Sequence, residues 1–148
     1  MCIRDSNITV SITDAANNAA TCTAVITVNA PASDYSINDV SMDEGNSGTS
    51  TMAFTVTRTD ATCASSISYG TSSNTATVGT DYLGSTGTLN FAAGELTQTI
   101  AVSINGDTDS ESDETFDVTL SAAPANATIS DATGTGTILD DDLSLIHI

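Results

Sequence analysis

The sequence predicts an all-β chain: a seven-stranded antiparallel β-sandwich preceded by one separate β-hairpin. Three observations carry that reading. Thr, Ser, Val, Ile and Ala dominate the composition, apolar residues alternate with polar ones at a period of two, and Gly, Asn and Asp break the alternation into short runs. No segment shows a stripe at helical spacing.

Residues 7–29 read as the hairpin. Ile8, Val10 and Ile12 alternate with polar residues, a turn falls at Asp14-Ala15-Ala16-Asn17-Asn18, and Cys22, Ala24, Ile26 and Val28 share a face of the returning strand. One hairpin cannot bury such a face alone, so it is expected to be the C-terminal hairpin of a truncated β domain. Ala30-Pro31-Ala32-Ser33 reads as a linker.

A fresh set of strands occupies residues 34–142. Tyr35, Ile37 and Val40 open it, and the turn Asp43-Glu44-Gly45-Asn46-Ser47-Gly48 ends the first strand. Met52, Phe54 and Val56 point one way in the second, with Ala53, Thr55 and Thr57 opposite. Ile67 and Tyr69 mark the third strand, Leu89 and Phe91 the fourth. Leu96, Ile100, Val102 and Ile104 are expected to face inward from the fifth. Phe116, Val118 and Leu120 form the sixth, and Gly134 to Leu139 the seventh. Seven short strands in a segment this long suit two packed antiparallel sheets of the immunoglobulin-like kind around a single core.

The two ends are set aside. One nucleotide string read in opposite directions encodes both Met1 to Ser6 and Leu143 to Ile148, as a sequencing adapter at either end of a fragment would. Residues 1–6 and 143–148 are therefore expected to be adapter translation. They contain Cys2, Arg4 and His147, the only histidine. Of the remaining cysteines, Cys22 and Cys63 are either small buried residues or partners in disulfides of a secreted protein. Their spacing does not resemble a zinc site.

The chain carries 19 acidic and 2 basic residues, a formal net charge of −17, with no lysine. That charge argues against nucleic acid or an anionic membrane as partner. Acidity with few aromatics also fits disorder, but the sustained alternation argues for a folded chain. No run approaches the ~20 apolar residues that span a bilayer.

The acids are not scattered. Ten lie in four places: Glu44, Asp81, the run Asp107, Asp109, Glu111, Asp113 and Glu114, and the triplet Asp140, Asp141 and Asp142. Consecutive antiparallel strands alternate in direction, so the turns after strands one, three and five share one end with the exit from strand seven. Those are the four places. The other turns hold Asp60, Glu95 and no acid. Two carboxylates about 4 Å apart repel by roughly 4 kcal/mol at an effective dielectric near 20. A pole built this way needs a cation, and hard oxygen ligands in that number favour Ca²⁺.

Gly79-Thr80-Asp81-Tyr82, Gly87-Thr88-Leu89-Asn90-Phe91 with Ala93-Gly94-Glu95, Asp113-Glu114-Thr115-Phe116 and Gly136-Thr137-Ile138-Leu139-Asp140-Asp141-Asp142 together resemble a Calx-beta domain over residues 34–142. That family includes regulatory domains of sodium–calcium exchangers and repeats of bacterial surface proteins. The resemblance implies Ca²⁺ ligands at Glu44, Asp81, Asp107, Glu111, Glu114, Asp140, Asp141 and Asp142. Gly106 departs from the pattern, since a further aspartate is common there. The hairpin, with Thr21-Cys22-Thr23, is similar to the end of a hyalin repeat, another extracellular β-sandwich.

Each element also has an ordinary reading. The 107–114 run alone is a solvated acidic loop, the triplet a linker, Asp81 a turn cap. Glu95 reads as a structural turn residue and Arg58 as a surface charge. The acidic loop is not an EF-hand, because Ser112 holds the sixth position from Asp107 and Val118 the twelfth. Residues 134–136 do not supply the glycine–aspartate repeat of Ca²⁺-binding β-helices. Asn7-Ile8-Thr9 and Asn126-Ala127-Thr128 match the glycosylation pattern.

An enzyme is not expected. With the adapter histidine set aside and no lysine, serines and Cys63 lack the usual base. A glycosidase pair would need a cleft floored by aromatics, and the chain has no Trp. The sequence thus points to a non-catalytic Ca²⁺-binding module of a multi-repeat extracellular or cell-surface adhesion protein. Its expected partners are neighbouring domains of the same chain and cell-surface or matrix ligands. The alternatives are a structural spacer without a tight metal site and an intracellular Ca²⁺ sensor beside a transporter.

Overall fold

In a computed structural model of the chain, the structure describes residues 6–17, 19–26 and 32–142. The adapter-like ends lie outside these apart from Ser6, as do Asn18, Val28, Ala30 and Pro31. Two compact units divide between Pro31 and Ala32. The first contains β1 (Ser6–Thr13) and β2 (Ala19–Ile26), which pair antiparallel with Thr13 opposite Ala19. Asp14 closes the turn: its carboxylate accepts from Ala16 N at 2.9 Å and its carbonyl from Asn17 N at 3.0 Å. Asn17 takes the left-handed conformation, φ 66°, which asparagine tolerates better than most residues.

The second unit is the predicted sandwich. Its strands are β3 (Ser33–Ile37), β4 (Val40–Asp43), β5 (Gly48–Arg58), β6 (Ser65–Ser73), β7 (Thr86–Phe91), β8 (Thr97–Gly106), β9 (Glu114–Ser121), β10 (Ala127–Asp131) and β11 (Thr133–Leu139). One sheet runs β10-β3-β5-β8, the other β4-β11-β9-β6-β7. Two strands go beyond the seven read from sequence, and each has a cause. The opening strand divides because Asn38 and Asp39 carry the chain from one sheet to the other. Asn38 Oδ1 accepts from Thr55 N at 2.6 Å and Asp39 Oδ1 from Thr135 N at 2.8 Å, replacing ladder partners during the crossing. The second addition, β10, has one large apolar side chain, Ile129, and so no visible alternation. It pairs parallel with β3, and β4 pairs parallel with β11.

Alternation then sets the core. Along β5, Met52, Phe54 and Val56 are buried and the intervening residues are exposed. Ile100, Val102 and Ile104 of β8 lie beside them in the same sheet, and Phe116 and Val118 of β9 face them from the other. Tyr82 stacks on Phe116 at 4.3 Å between ring centroids, while Phe54 meets the same ring edge-on at 5.9 Å. Leu96 breaks the expectation. It is 49% exposed because it lies before β8 begins, in the reversal that follows Gly94.

Arg58 is the larger correction, for it is not a surface charge but 3% exposed. It occupies an inward position of β5, with its guanidinium 5.0 Å from the Phe91 ring centroid. Nε donates to Glu95 O, Nη1 to Cys63 O and Ser65 Oγ, and Nη2 to Ala92 O, each at 2.7 Å. One side chain thus ties the β5–β6 turn to the β7–β8 turn. Cys63 is disulfide-bonded. Glu95 is structural, as expected: its carboxylate accepts from Ala92 N at 2.8 Å and Gln98 Nε2 at 3.0 Å.

Replacing Arg58 by Leu leaves three carbonyls and a hydroxyl without their donor in a dry environment. The expected loss is about 3 kcal/mol, read as a lower urea midpoint at unchanged slope.

Candidate metal centre

The β5–β8 ladder, from Gly48 opposite Gly106 to Thr57 opposite Thr97, fixes which ends of the strands meet. Glu44 follows β4, Asp81 lies between β6 and β7, residues 107–113 join β8 to β9, and Asp140 to Asp142 follow β11. Backbone bonds knit these segments together at one pole. Glu44 N donates to Leu139 O at 3.1 Å and Asn105 N to Asp81 O at 2.9 Å.

Six of the eight expected ligands form two groups. Glu44, Asp107 and Asp142 each present a carboxylate oxygen within 4.8 Å of the others, and Asp81, Glu111 and Glu114 do the same. Asp140 and Asp141 stand outside both groups. Asp140 Oδ2 accepts from Glu111 N at 3.1 Å and Oδ1 from Asp142 N at 3.0 Å, so its oxygens organise the loops. It also lines a small cavity with Glu44, Glu111 and Glu114. Asp141 is exposed and accepts from Gly45 N at 3.1 Å. Asp81 does cap its turn, through Thr77 N at 2.6 Å, while also contributing to the second group.

Crowding shows in the acid strengths. Burial first, then the charges of Asp107, Glu111, Asp140 and Asp142, push the Glu44 carboxyl up to about 7. Glu114 is pushed to about 7 by burial, then by its hydrogen bond to Asp81 and the charges of Asp81, Glu111 and Glu44. Burial and neighbouring acids also raise Glu111. Acids elsewhere behave oppositely: hydrogen bonds from Ser130 and Thr128 lower Asp34, and those from Thr62 lower Asp60.

The donor set fits a cation. Glu44 Oε1 and Asp142 Oδ2 are buried and have no hydrogen-bond partner, a costly state for a carboxylate unless an ion meets it. Among the described residues Arg58 is the only lysine or arginine, and its donors go to Ser65 and to three carbonyls. All the atoms offered are hard oxygens, suited to Ca²⁺ more than to a softer metal. Asn46, whose Nδ2 donates to Asp142 Oδ1, carries no charge or motif that would single it out in sequence.

Gly106 has a steric reason to lack a side chain. A Cβ there would lie 2.7 Å from Glu44 O and closer still to Gly45 O. The backbone carrying Glu44 crosses β8 at that point, and only glycine lets it approach.

The Calx-beta domain model matches residues 33–142. The chain belongs to the Calx-beta family. Solved structures agree with that assignment. An apo-form Calx CBD1 domain is 26% identical with a TM-score of 0.69, the match covering 74% of this chain and 98% of that one. The calcium binding domain CBD12 of CALX1.1 is 27% identical with a TM-score of 0.66, the match covering 73% of this chain and 46% of that one. This Calx-beta chain thus spans under half of that structure. A Calx CBD2 domain, 19% identical with a TM-score of 0.63, shares the fold over 73% of this chain and 86% of its own. No curated protein matches the chain.

The raised carboxyls set a pH dependence for the metal-free domain. Glu44 and Glu114 hold protons more tightly folded, near 7, than at their ordinary 4.5. Their stabilisation is complete below about 4.5 and lost as pH rises through about 7. With chelator present, the melting temperature is expected to be higher at about pH 5.5 than at about pH 8. Millimolar Ca²⁺ is expected to remove or reverse that order in the same calorimetric scans.

Proposed function

We propose that this Calx-beta domain is a non-catalytic Ca²⁺-binding module. The observation that carries it is the pair of three-carboxylate groups at one pole, two of whose buried oxygens have no partner. The calcium binding domain among the similar structures supports the same ion. Glu44, Asp107 and Asp142 would hold one cation and Asp81, Glu111 and Glu114 another. Asp140 and Asp141 would keep the loops in place around them. Bound Ca²⁺ supplies the positive charge that the pole lacks.

The reading extends to context. Asp142 belongs to the segment leaving β11, so a cation shared with Glu44 and Asp107 would stiffen the junction to a following domain. An extracellular or cell-surface adhesion protein fits the disulfide at Cys63, since such bonds persist in oxidising compartments. Neighbouring repeats and cell-surface or matrix ligands are then the partners. Extracellular modules of this kind work at about 10⁻⁴–10⁻³ M Ca²⁺.

Calorimetric titration is expected to show saturable heat in that range, and chelator to lower the melting temperature by about 5 °C or more. Glu44→Gln with Asp142→Asn removes the part of that shift due to the Glu44 group, whereas Asp109→Asn, outside both groups, retains all of it. Superimposable melts with and without chelator would refute the proposal and leave the structural-spacer reading.

A further inference from the structure

We propose that Asn105 is a positioning residue for the Asp81–Glu111–Glu114 group, an inference that rests on the Ca²⁺ reading above. Asn105 is uncharged and is not in either carboxylate group, yet it engages the Asp81 turn three times. Its backbone N donates to Asp81 O at 2.9 Å, and its Nδ2 donates to Thr80 O at 2.6 Å and Gly79 O at 3.4 Å. Within the turn, Gly79 N bonds Tyr82 O, Asp81 N bonds Thr77 O and Thr77 N bonds the Asp81 carboxylate, while just upstream Thr75 N and Ala76 N bond Thr115 O of β9 and Val78 N bonds Ser73 Oγ. Those bonds shape the turn and tie its approach to β9 without fixing where it sits against β8. Leu83 N to Ser103 O and the Tyr82–Ile104 bridge fix its downstream side. On the upstream side, where Gly79 and Thr80 lead into Asp81, the bonds to β8 come from the Asn105 side chain.

Its effect should be selective. Asn105 sits opposite Thr49 in the β5–β8 ladder, one residue before the glycine over which the Glu44 backbone crosses. Both groups therefore lie close to it in the chain, since Asp107 of the other group is two residues on. The side-chain amide, however, reaches only the Asp81 turn. Losing it leaves Asp81 tied to β8 by the Asn105 N–Asp81 O bond alone, so the Gly79–Thr80 side of the turn loosens relative to Glu111 and Glu114 while Glu44, Asp107 and Asp142 keep their supports. A residue that merely stabilised the pole would weaken both groups alike.

Tb³⁺, a hard trivalent stand-in for Ca²⁺, reports the Asp81 group by luminescence excited through the adjacent Tyr82, with Ca²⁺ competition giving the affinity of the native ion. In the full chain, Asn105→Leu removes the donors at similar volume and without adding charge. It is expected to weaken the Tyr-sensitised transition roughly tenfold, the loss of about one hydrogen bond, with little change in the melting temperature in chelator. In a Glu44→Gln background the tenfold loss should persist; in an Asp81→Asn background it should vanish, because the group it positions is already broken. Equal losses in both backgrounds, or wild-type affinity in Asn105→Leu, overturn the inference while leaving the Ca²⁺ reading standing. A wild-type chain that binds neither ion saturably overturns both.

Discussion

Everything at the acidic pole follows from a conflict between the β ladders and charge repulsion. The β5–β8 pairing holds Gly48 opposite Gly106, and the parallel pairing of β4 with β11 holds Asp43 opposite Leu139. Glu44, Asp107 and the Asp140–Asp142 triplet lie just beyond those paired ends. They cannot drift apart without breaking ladders that the core behind them enforces. Repulsion must be relieved in place, by a proton or by a cation. The raised Glu44 and Glu114 carboxyls are the first answer, and any cation proposed for the pole has to compete with those protons.

The distribution of positive charge sharpens that conflict. A lone buried arginine could have neutralised the acids from inside the sandwich. Arg58 is instead at the far end of β5, satisfied by Ser65 and three carbonyls and laid over Phe91. Its fixed charge braces two turns where few acids lie. One end of the domain is thus closed by an internal cation, and the other gathers carboxylates with no lysine or arginine among the described residues to meet them. The guanidinium's hydrogen bonds go to a hydroxyl and backbone carbonyls rather than to a carboxylate, so dipoles satisfy its donors, with Asp60 near enough to feel its charge.

The sandwich was legible because alternation reports burial directly. Phe54, Val102 and Phe116 announce their strands and prove to be core. Convergence of the acids was legible too, since strand direction alternates and the turn positions could be counted. What the sequence hid are features that alternation does not encode. Asn38 and Asp39 switch sheets by lending side-chain oxygens to neighbouring amides, which a reading of apolar residues cannot see. Arg58 looks like a surface charge because the carbonyls that satisfy it come from turns distant in sequence. Gly106 reads as a missing aspartate until the crossing backbone of Glu44 and Gly45 is in view.

The terminal triplet shows the same limit most clearly. Three successive acids look like three equivalent ligands, but successive side chains of an extended chain point in different directions. Asp142 turns toward Glu44 and Asp107 and leaves a buried oxygen unpartnered; Asp141 turns to the Gly45 amide; Asp140 gathers the amides of Glu111 and Asp142. Because Asp140 binds the loop of one group and the chain carrying the other, a displacement of either group is felt at the residue between them. The triplet is therefore one carboxylate that joins a cluster of acids and two that hold its surroundings still, which is why a count of acids overstates the cluster and understates the scaffold.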